Sequence, residues 1–314
     1  MSITRAYGTR AQLLIKKEVT YGTSPGSNFV KMPFITADLG AEQKLIADDT
    51  VGRGRDPLQP SRDIIEDLGT IEVPVDVNNI GHWLTGLLGA AVDTGAGPYT
   101  HTFTSGAISL PSYSMEVGNP EVPSYRMNLG VIVDSMKLNW QPSGPAKASV
   151  SLKGQNESLA TSSGGGTPTS LAYSRFSQFQ GAISLGGSAL ANVTAAELTL
   201  GNKSEAVKVV RSDGLVAGVD PTMAEAVGKI STVFQDTVML TDAVNGTAVT
   251  LGLSYTIDAN DSLVITLPGV LLPRPRASIK GPGGVTADFD FQAFSPGSST
   301  AMATVVLTNG TPTY

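Results

Sequence analysis

The residues able to do acid–base or metal chemistry are few. The 314-residue chain holds two histidines, His82 and His101, and no cysteine. A thiolate nucleophile, a cysteine-based metal site and a multi-histidine centre are therefore excluded, and a histidine-centred catalytic arrangement has little to be built from. His82 stands beside Trp83 in a helical pattern, and His101 lies in the alternating run YTHTFT. Both read as structural or surface positions. Gly228-Lys229 has Met223 where a phosphate-binding loop requires glycine. Gly52-Arg53-Gly54 is a lone fragment of a polar segment. The expectation is a protein without catalytic residues, cofactor or metal.

Charge is more informative. Residues 48–67, DDTVGRGRDPLQPSRDIIED, intersperse acids and arginines. In a monomer this is a solvated loop, whereas in a stacked assembly it forms salt bridges with a neighbouring copy. Downstream, IEVPVDV places Ile71, Val73, Val75 and Val77 on one face and Glu72, Pro74 and Asp76 on the other. Over the whole chain 27 acids face 21 bases, a net charge of −6, so no global basic field is available for nucleic acid. An apolar content of 41% excludes a strongly charged disordered chain. Charged residues make up only 15%, against roughly 25% in ordinary soluble proteins. Either a Ser/Thr/Gly-rich exterior or a surface covered by other copies accounts for that. The opening MSITRAYGTRAQLLIKKE has no apolar core long enough for a signal peptide. The longest apolar stretch, about residues 84–92, is too short for a membrane helix. The sequence thus predicts a protein of the cytoplasm.

The elements that position these residues are mostly short β-rich runs between Gly, Pro and Asn. One helix is clear, with Ile80, Trp83, Leu84, Leu87 and Leu88 forming a single apolar stripe between Asn78 or Asn79 and Gly89. A shorter counterpart runs from Val238 to Val244, before Asn245-Gly246. Residues 156–170, NESLATSSGGGTPTS, have flexible-linker composition and divide the chain nearly in half.

The halves look related. Laid without a gap, 130–155 and 269–294 share Gly130/Gly269, Val131/Val270, Gly144/Gly283 and Ala148/Ala287. Met136, Leu138 and Trp140 correspond in phase to Pro275, Ala277 and Ile279, and Ala148, Val150 and Leu152 to Ala287, Phe289 and Phe291. Each segment reads as a hairpin with one apolar face. Upstream, Ala37-Asp38-Leu39 followed by Gly69-Thr70-Ile71 is echoed by Ala196-Glu197-Leu198 followed by Gly228-Lys229-Ile230 at the same separation. Each half is expected to be a β-sandwich or barrel bearing one helix: 1–156, a linker at 157–170, and 171–314.

The opening Tyr7-Gly8-Thr9-Arg10-Ala11, followed by Glu18-Val19-Thr20-Tyr21-Gly22-Thr23-Ser24-Pro25, resembles the start of major tail tube proteins of long-tailed bacteriophages. The resemblance continues through the loop bearing Arg53, Arg55 and Arg62, the helix ending in Leu87-Leu88-Gly89, and the Gly130–Gly154 hairpin. It implies a mainly β tail-tube fold of two packed antiparallel sheets with a flanking helix. It also implies rings whose inner sheets join into a barrel, stacked into a hollow tube in the virion tail and assembled in the host cytoplasm. The loop 46–67 takes the place of the segment that reaches the next ring, making Asp48, Asp49, Arg53, Arg55, Asp56, Arg62 and Asp63 the expected inter-ring contacts. Glu72 and Asp76, with their second-half counterparts Ser231 and Gln235, are expected to face a lumen through which DNA passes without specific binding. Two tube domains per chain favour a trimeric ring with pseudo-sixfold symmetry over a hexamer. Partners are further copies and the tape measure, terminator and distal tail proteins, with no membrane. Segments 20–33 and 46–67 are expected to order on assembly. A tail terminator or a tube protein of a contractile system is a related reading. The alternative class is a β-sandwich adhesion or carbohydrate-binding module, which needs exposed aromatic platforms; yet Trp83 and Trp140 both sit on apolar faces.

Overall fold

The structure is a computed structural model that describes residues 5–275 and 284–314. The first half forms β1 (Gln12–Lys17), β2 (Val30–Met32), β3 (Thr36–Ile46), β4 (Ser61–Pro74), helix α1 (Ile80–Leu88), β5 (Val92–Thr94), β6 (Tyr99–Thr104), β7 (Tyr113–Asn119), β8 (Ser124–Trp140), β9 (Lys147–Gly154) and β10 (Asn156–Ala160). The second half forms β11 (Gly181–Leu185), β12 (Ser188–Ala189), β13 (Val193–Gly201), β14 (Glu205–Val207), β15 (Gly218–Asp220), β16 (Glu225–Val233), helix α2 (Val238–Asn245), β17 (Val249–Thr256), β18 (Ser262–Leu271), β19 (Thr286–Ala293) and β20 (Thr304–Asn309). The protein is mainly β, as patterning and resemblance both predict. Its large antiparallel sheets pack as layers, and among the described residues none closes into a barrel.

Strand β8 serves two sheets. Its first part, to Val131, pairs with β7 and β10; from Ile132 onward it pairs with β9 and then β13. The change falls at Gly130, whose φ of +64° suits glycine. A Cβ there would lie 2.8 Å from the Tyr21 ring. The bend is held by Glu18, a buried carboxylate. Its Oε1 accepts from Gly130 N at 2.9 Å and Ser114 Oγ at 2.8 Å. Its Oε2 accepts from Gly22 N at 2.9 Å and Ser112 Oγ at 2.7 Å. The opening motif Glu18-x-x-Tyr21-Gly22 is therefore the clamp on the β8 bend.

Strand β18 repeats the manoeuvre at Gly269. It pairs with β20 up to Thr266 and with β17 up to Val270, and with β19 at Val270 and Leu271. The pairing registers of the two halves coincide. Leu39↔Gly69 and Ala37↔Ile71 match Leu198↔Gly228 and Ala196↔Ile230. Gly69↔Leu152 and Ile71↔Val150 match Gly228↔Phe291 and Ile230↔Phe289. Ile132↔Lys153 matches Leu271↔Gln292, and Tyr113↔Val131 matches Val249↔Val270. Gly69 and Gly228 share a constraint as well: a Cβ on either would strike the carbonyl of Asp38 or Glu197. Helices α1 and α2 follow β4 and β16 in turn. The helical stripe of α1 is buried; Asn79 stands at its N-cap without a side-chain capping bond, and the Asp76 carboxylate holds the preceding turn through Asn78 N and Asn79 N. Gly246, with φ +64°, ends α2.

The order β3-β4-β9-β8 is continued by β13-β16-β19-β18, joined through the β8–β13 pairs Leu138↔Leu198 and Met136↔Leu200. The halves also interlock elsewhere, because the β5–β6 hairpin adds β6 to β20. A single apolar cluster runs from Leu13 to Leu307. The expected strand through Pro275, Ala277 and Ile279 falls largely on residues 276–283, outside the described residues.

Two expectations need correcting. Residues 156–170 are not a free tether: β10 pairs with β8, and Gly165 lies against Leu14 and Phe29 while accepting from Phe29 N. The glycines there permit close approach to the sheet. Segment 20–33 is likewise tied down within the subunit, by Tyr21-Gly22 and by fully buried Phe29.

Glu18→Ala removes four hydrogen bonds to one buried charge, and bonds to charged groups contribute about 1.5–3 kcal/mol each. Allowing for non-additivity, the expected cost is about 3 kcal/mol or more in urea unfolding; a loss below about 1 kcal/mol would remove Glu18 from this role.

Candidate functional site

Three surfaces are candidates. The first is the arm made by β3 and β4. Its ladder extends to Ile46↔Ser61, and residues 47–60 beyond it are wholly exposed. Asp48, Asp49, Arg53, Arg55 and Asp56 lie in this connection, while Arg62 and Asp63 begin β4. Asp48 Oδ1 accepts from Thr50 N at 2.8 Å, and bonding to Thr50 holds its carboxyl below the usual range. Asp63 Oδ1 accepts from Ile64 N. Among the described residues, Arg53, Arg55 and Arg62 have no carboxylate partner. The arm is not only charged. Val51 is 91% exposed and Leu45 66%, with Ile46 and Leu58 also exposed. The apolar pair Leu45-Ile46 within a polar stretch was the sequence signal for this.

The second surface is the outer face of the joined sheet. Directly opposed residues share a face, so Glu72↔Ser149, Ser149↔Lys137 and Lys137↔Thr199 form one row across both halves. Lys229↔Glu197, Lys229↔Asp290 and Ser231↔Asp288 belong to the same face. It is of mixed charge, because its lysines sit among the acids. Lys147 Nζ lies 2.6 Å from Glu72, Lys229 Nζ 3.1 Å from Asp288, and Lys137 pairs with Glu197. Ser231 Oγ donates to Asp288 at 2.6 Å.

Of the four residues expected to face a lumen, Glu72 and Ser231 lie on this outer face and Asp76 and Gln235 do not. Strand β4 ends at Pro74, and Asp76 turns inward to full burial. Its Oδ1 accepts from Asn78 N and Asn79 N at 3.0 and 2.7 Å, and its Oδ2 from Ser174 N. Alternation breaks because the chain turns at Asp76: its carboxylate holds the amides of the turn leading into α1, while its backbone carbonyl accepts from Ile80 N. Gln235 is exposed but follows the end of β16 at Val233.

The histidines are structural. His101 is buried between Asp93, Asn309 and the Thr311 carbonyl. Burial pushes His82 down to about 4. Both rings meet Tyr314 edge-on, and Tyr314 Oη donates to the Asn78 carbonyl at 2.7 Å, pinning the C-terminal residues against α1. Trp83 and Trp140 are buried, so neither supplies an exposed aromatic platform.

The third feature is Asp67, at the root of the arm. It is 1% exposed, and among the described residues neither carboxylate oxygen has a hydrogen-bond partner. In matching register the second half has Ala226: Ala41↔Asp67 against Leu200↔Ala226. Asp67 lines a cleft of about 360 Å³ with Gly154, Lys153, Val216 and Val219. Desolvation, reinforced by the nearby Glu157 charge, raises its carboxyl to about 7.

A mainly β chain with a long two-half sheet, a projecting arm of unpaired arginines and exposed apolar residues has the surface of a self-assembling structural subunit. A family model described as phage tail tube protein matches residues 8–293, nearly the whole chain, and the chain belongs to that family. It is a structural subunit of the phage tail tube, located in the virion tail, and assembles with other tail proteins. No curated protein matches the sequence.

Asp67 gives a pH-dependent signature. Its folded-state value lies above the ordinary one, so the folded state favours the proton, and stability falls as pH rises from about 4 to about 7. Asp67→Asn is expected to raise the melting temperature by several degrees at pH 8 and by little near pH 4.5. An equal shift at both pH values, or none at pH 8, would contradict the assignment.

Proposed function

We propose that the chain holds two tube domains, 1–156 and 171–314, and that three copies form one tube ring with pseudo-sixfold symmetry rather than six copies forming a hexamer. The observation carrying this is the coincidence of registers in β3-β4-β9-β8 and β13-β16-β19-β18. One chain then supplies two of six equivalent sheet units. The face bearing Glu72 and Ser231 lines the lumen, and DNA passes it without specific binding. The arm, with Asp48, Asp49, Arg53, Arg55, Asp56, Arg62 and Asp63, reaches the adjacent ring; its unpaired arginines and exposed Val51 and Leu45 support that role.

Under this reading the subunit has no catalytic activity. It folds in the host cytoplasm and meets the tape measure, terminator and distal tail proteins along and at the ends of the tube. Negative-stain imaging of concentrated protein is expected to show hollow, regularly striated filaments, and native mass measurement of single rings three chains. Persistent monomers would sink the tube assignment for the isolated chain, and six chains per ring would sink the trimer.

Charge reversal at the arm, Arg53→Glu with Arg55→Glu, is expected to raise the concentration needed for polymerisation by about tenfold or more, a factor equal to roughly 1.4 kcal/mol. Filaments of normal yield and length from that variant would show that the arm charges do not hold the rings together.

A further inference from the structure

The joined sheet is open at both ends. Among the described residues, β3 pairs with β4 on one side and with no strand on the other. At the far end, β18 pairs with β19 through Leu271, and residues 272–275 follow without a strand partner among the described residues. Inside the chain the corresponding edges already meet: β8 continues past Ile132 to pair with β13. Covered by β8, Ala196, Leu200 and Gly201 of β13 are buried. Their register counterparts on β3 (Ala37, Ala41 and Glu42) are partly or fully exposed.

We propose that a second copy of this chain pairs antiparallel with the outer edge of β3 through its own residues 272–275, in the register of the β8–β13 joint. The proposal rests on the tube reading and adds to it which edges meet, in what register, and with what polarity. Ser135↔Gly201 and Met136↔Leu200 translate into Arg274 opposite Glu42 and Pro275 opposite Ala41. The first pair brings opposite charges together across the joint, a favourable cross-strand arrangement.

The prolines define the polarity. In the internal joint Asn202 N donates to Asp134 O at 2.8 Å, so Asp134 and the alternate residue Met136 turn their backbone groups toward β13. The corresponding positions at the free end are Pro273 and Pro275. That edge offers carbonyls but no N–H groups. Two such edges have no donors to exchange, so copies do not pair end to like end. β3 supplies donors, and the Ala41 N–H meanwhile rests on the Glu157 carboxylate at 3.4 Å. A long bond to a side chain is a weak occupant that a neighbouring carbonyl displaces. The contact is head-to-tail, which closes into a ring when the rotation allows.

The chain contains no cysteine, so a paired substitution reads the register directly. Full-length Glu42→Cys/Arg274→Cys, assembled and then oxidised, is expected to link most chains into a ladder ending at three on non-reducing gels. The offset pair Lys44→Cys/Arg274→Cys is expected to link at least tenfold less. Filaments that form but stay single-chained on oxidation, or that link better through the offset pair, overturn the joint while leaving the tube reading intact. Absence of filaments from the unmodified chain overturns the tube reading itself. A ladder ending at six supports the joint and overturns the three-chain ring. Independently, Glu42→Arg is expected to slow assembly at least tenfold and Arg274→Glu in the same chain to restore it; no slowing by Glu42→Arg counts against the ion pair.

Discussion

Everything in this fold depends on a strand that belongs to two sheets at once. A strand that passes from one sheet into another changes its partners at a defined residue. In β8 that residue is Gly130, held by the Glu18 carboxylate and covered by the Tyr21 ring. In β18 the corresponding residue is Gly269, packed against Phe294. The same bend is thus stabilised by a buried hydrogen-bonded charge in one half and by an aromatic contact in the other. Once the bend is fixed, one stretch of the strand pairs with β7 or β17 and the next with β9 or β19. Two layers follow from it, with a large apolar cluster and a small separate one at Leu14, Phe29 and Met127.

The halves resemble each other in register but do not stand apart. The β6–β20 ladder, the β8–β13 joint and the Tyr314 contact with α1 each tie one half to the other. Residues 156–170, despite their composition, lie on the sheet through Gly165 and β10. A tether would let the two sheet units swing, whereas a ladder between β8 and β13 fixes their angle. If, as proposed, one chain supplies successive segments of one ring, that rigidity matters more than reach, because small angular errors accumulate around a closed assembly.

Much of this was legible in the sequence wherever the pattern is local. Alternation at Ala148, Val150 and Leu152, the stripe of α1, and the paired echoes at Gly69 and Gly228 all correspond to what the chain forms. What was hidden depends on contacts between distant residues. Glu18 stood in a recognised motif, yet its bonds to Ser112, Ser114 and Gly130 are invisible from spacing. Asp76 continued an alternating run on paper, but the turn leading into α1 draws its carboxylate inward onto the amides of Asn78, Asn79 and Ser174. Asp67 occupies a core position that only the register comparison with Ala226 exposes as unusual. The Ser/Gly stretch misled because small residues serve close packing as readily as flexibility.

The low charge content gains a physical sense from the outer sheet face. If, as proposed, this face lines the lumen, it meets DNA, and phosphate affinity comes from lysines and arginines that displace condensed counterions. Lys137, Lys147 and Lys229 are each held against a carboxylate on an adjacent strand. A lysine already paired must give up its partner to take a phosphate, so the exchange brings little net gain. At physiological salt, what remains of the field fades within about 8 Å. A wall of paired charges also stays hydrated, unlike an apolar one. Such a face needs neither strong repulsion nor an uncharged surface to let a polyanion slide, and its lysines strengthen the cross-strand ladder without gripping what passes over it.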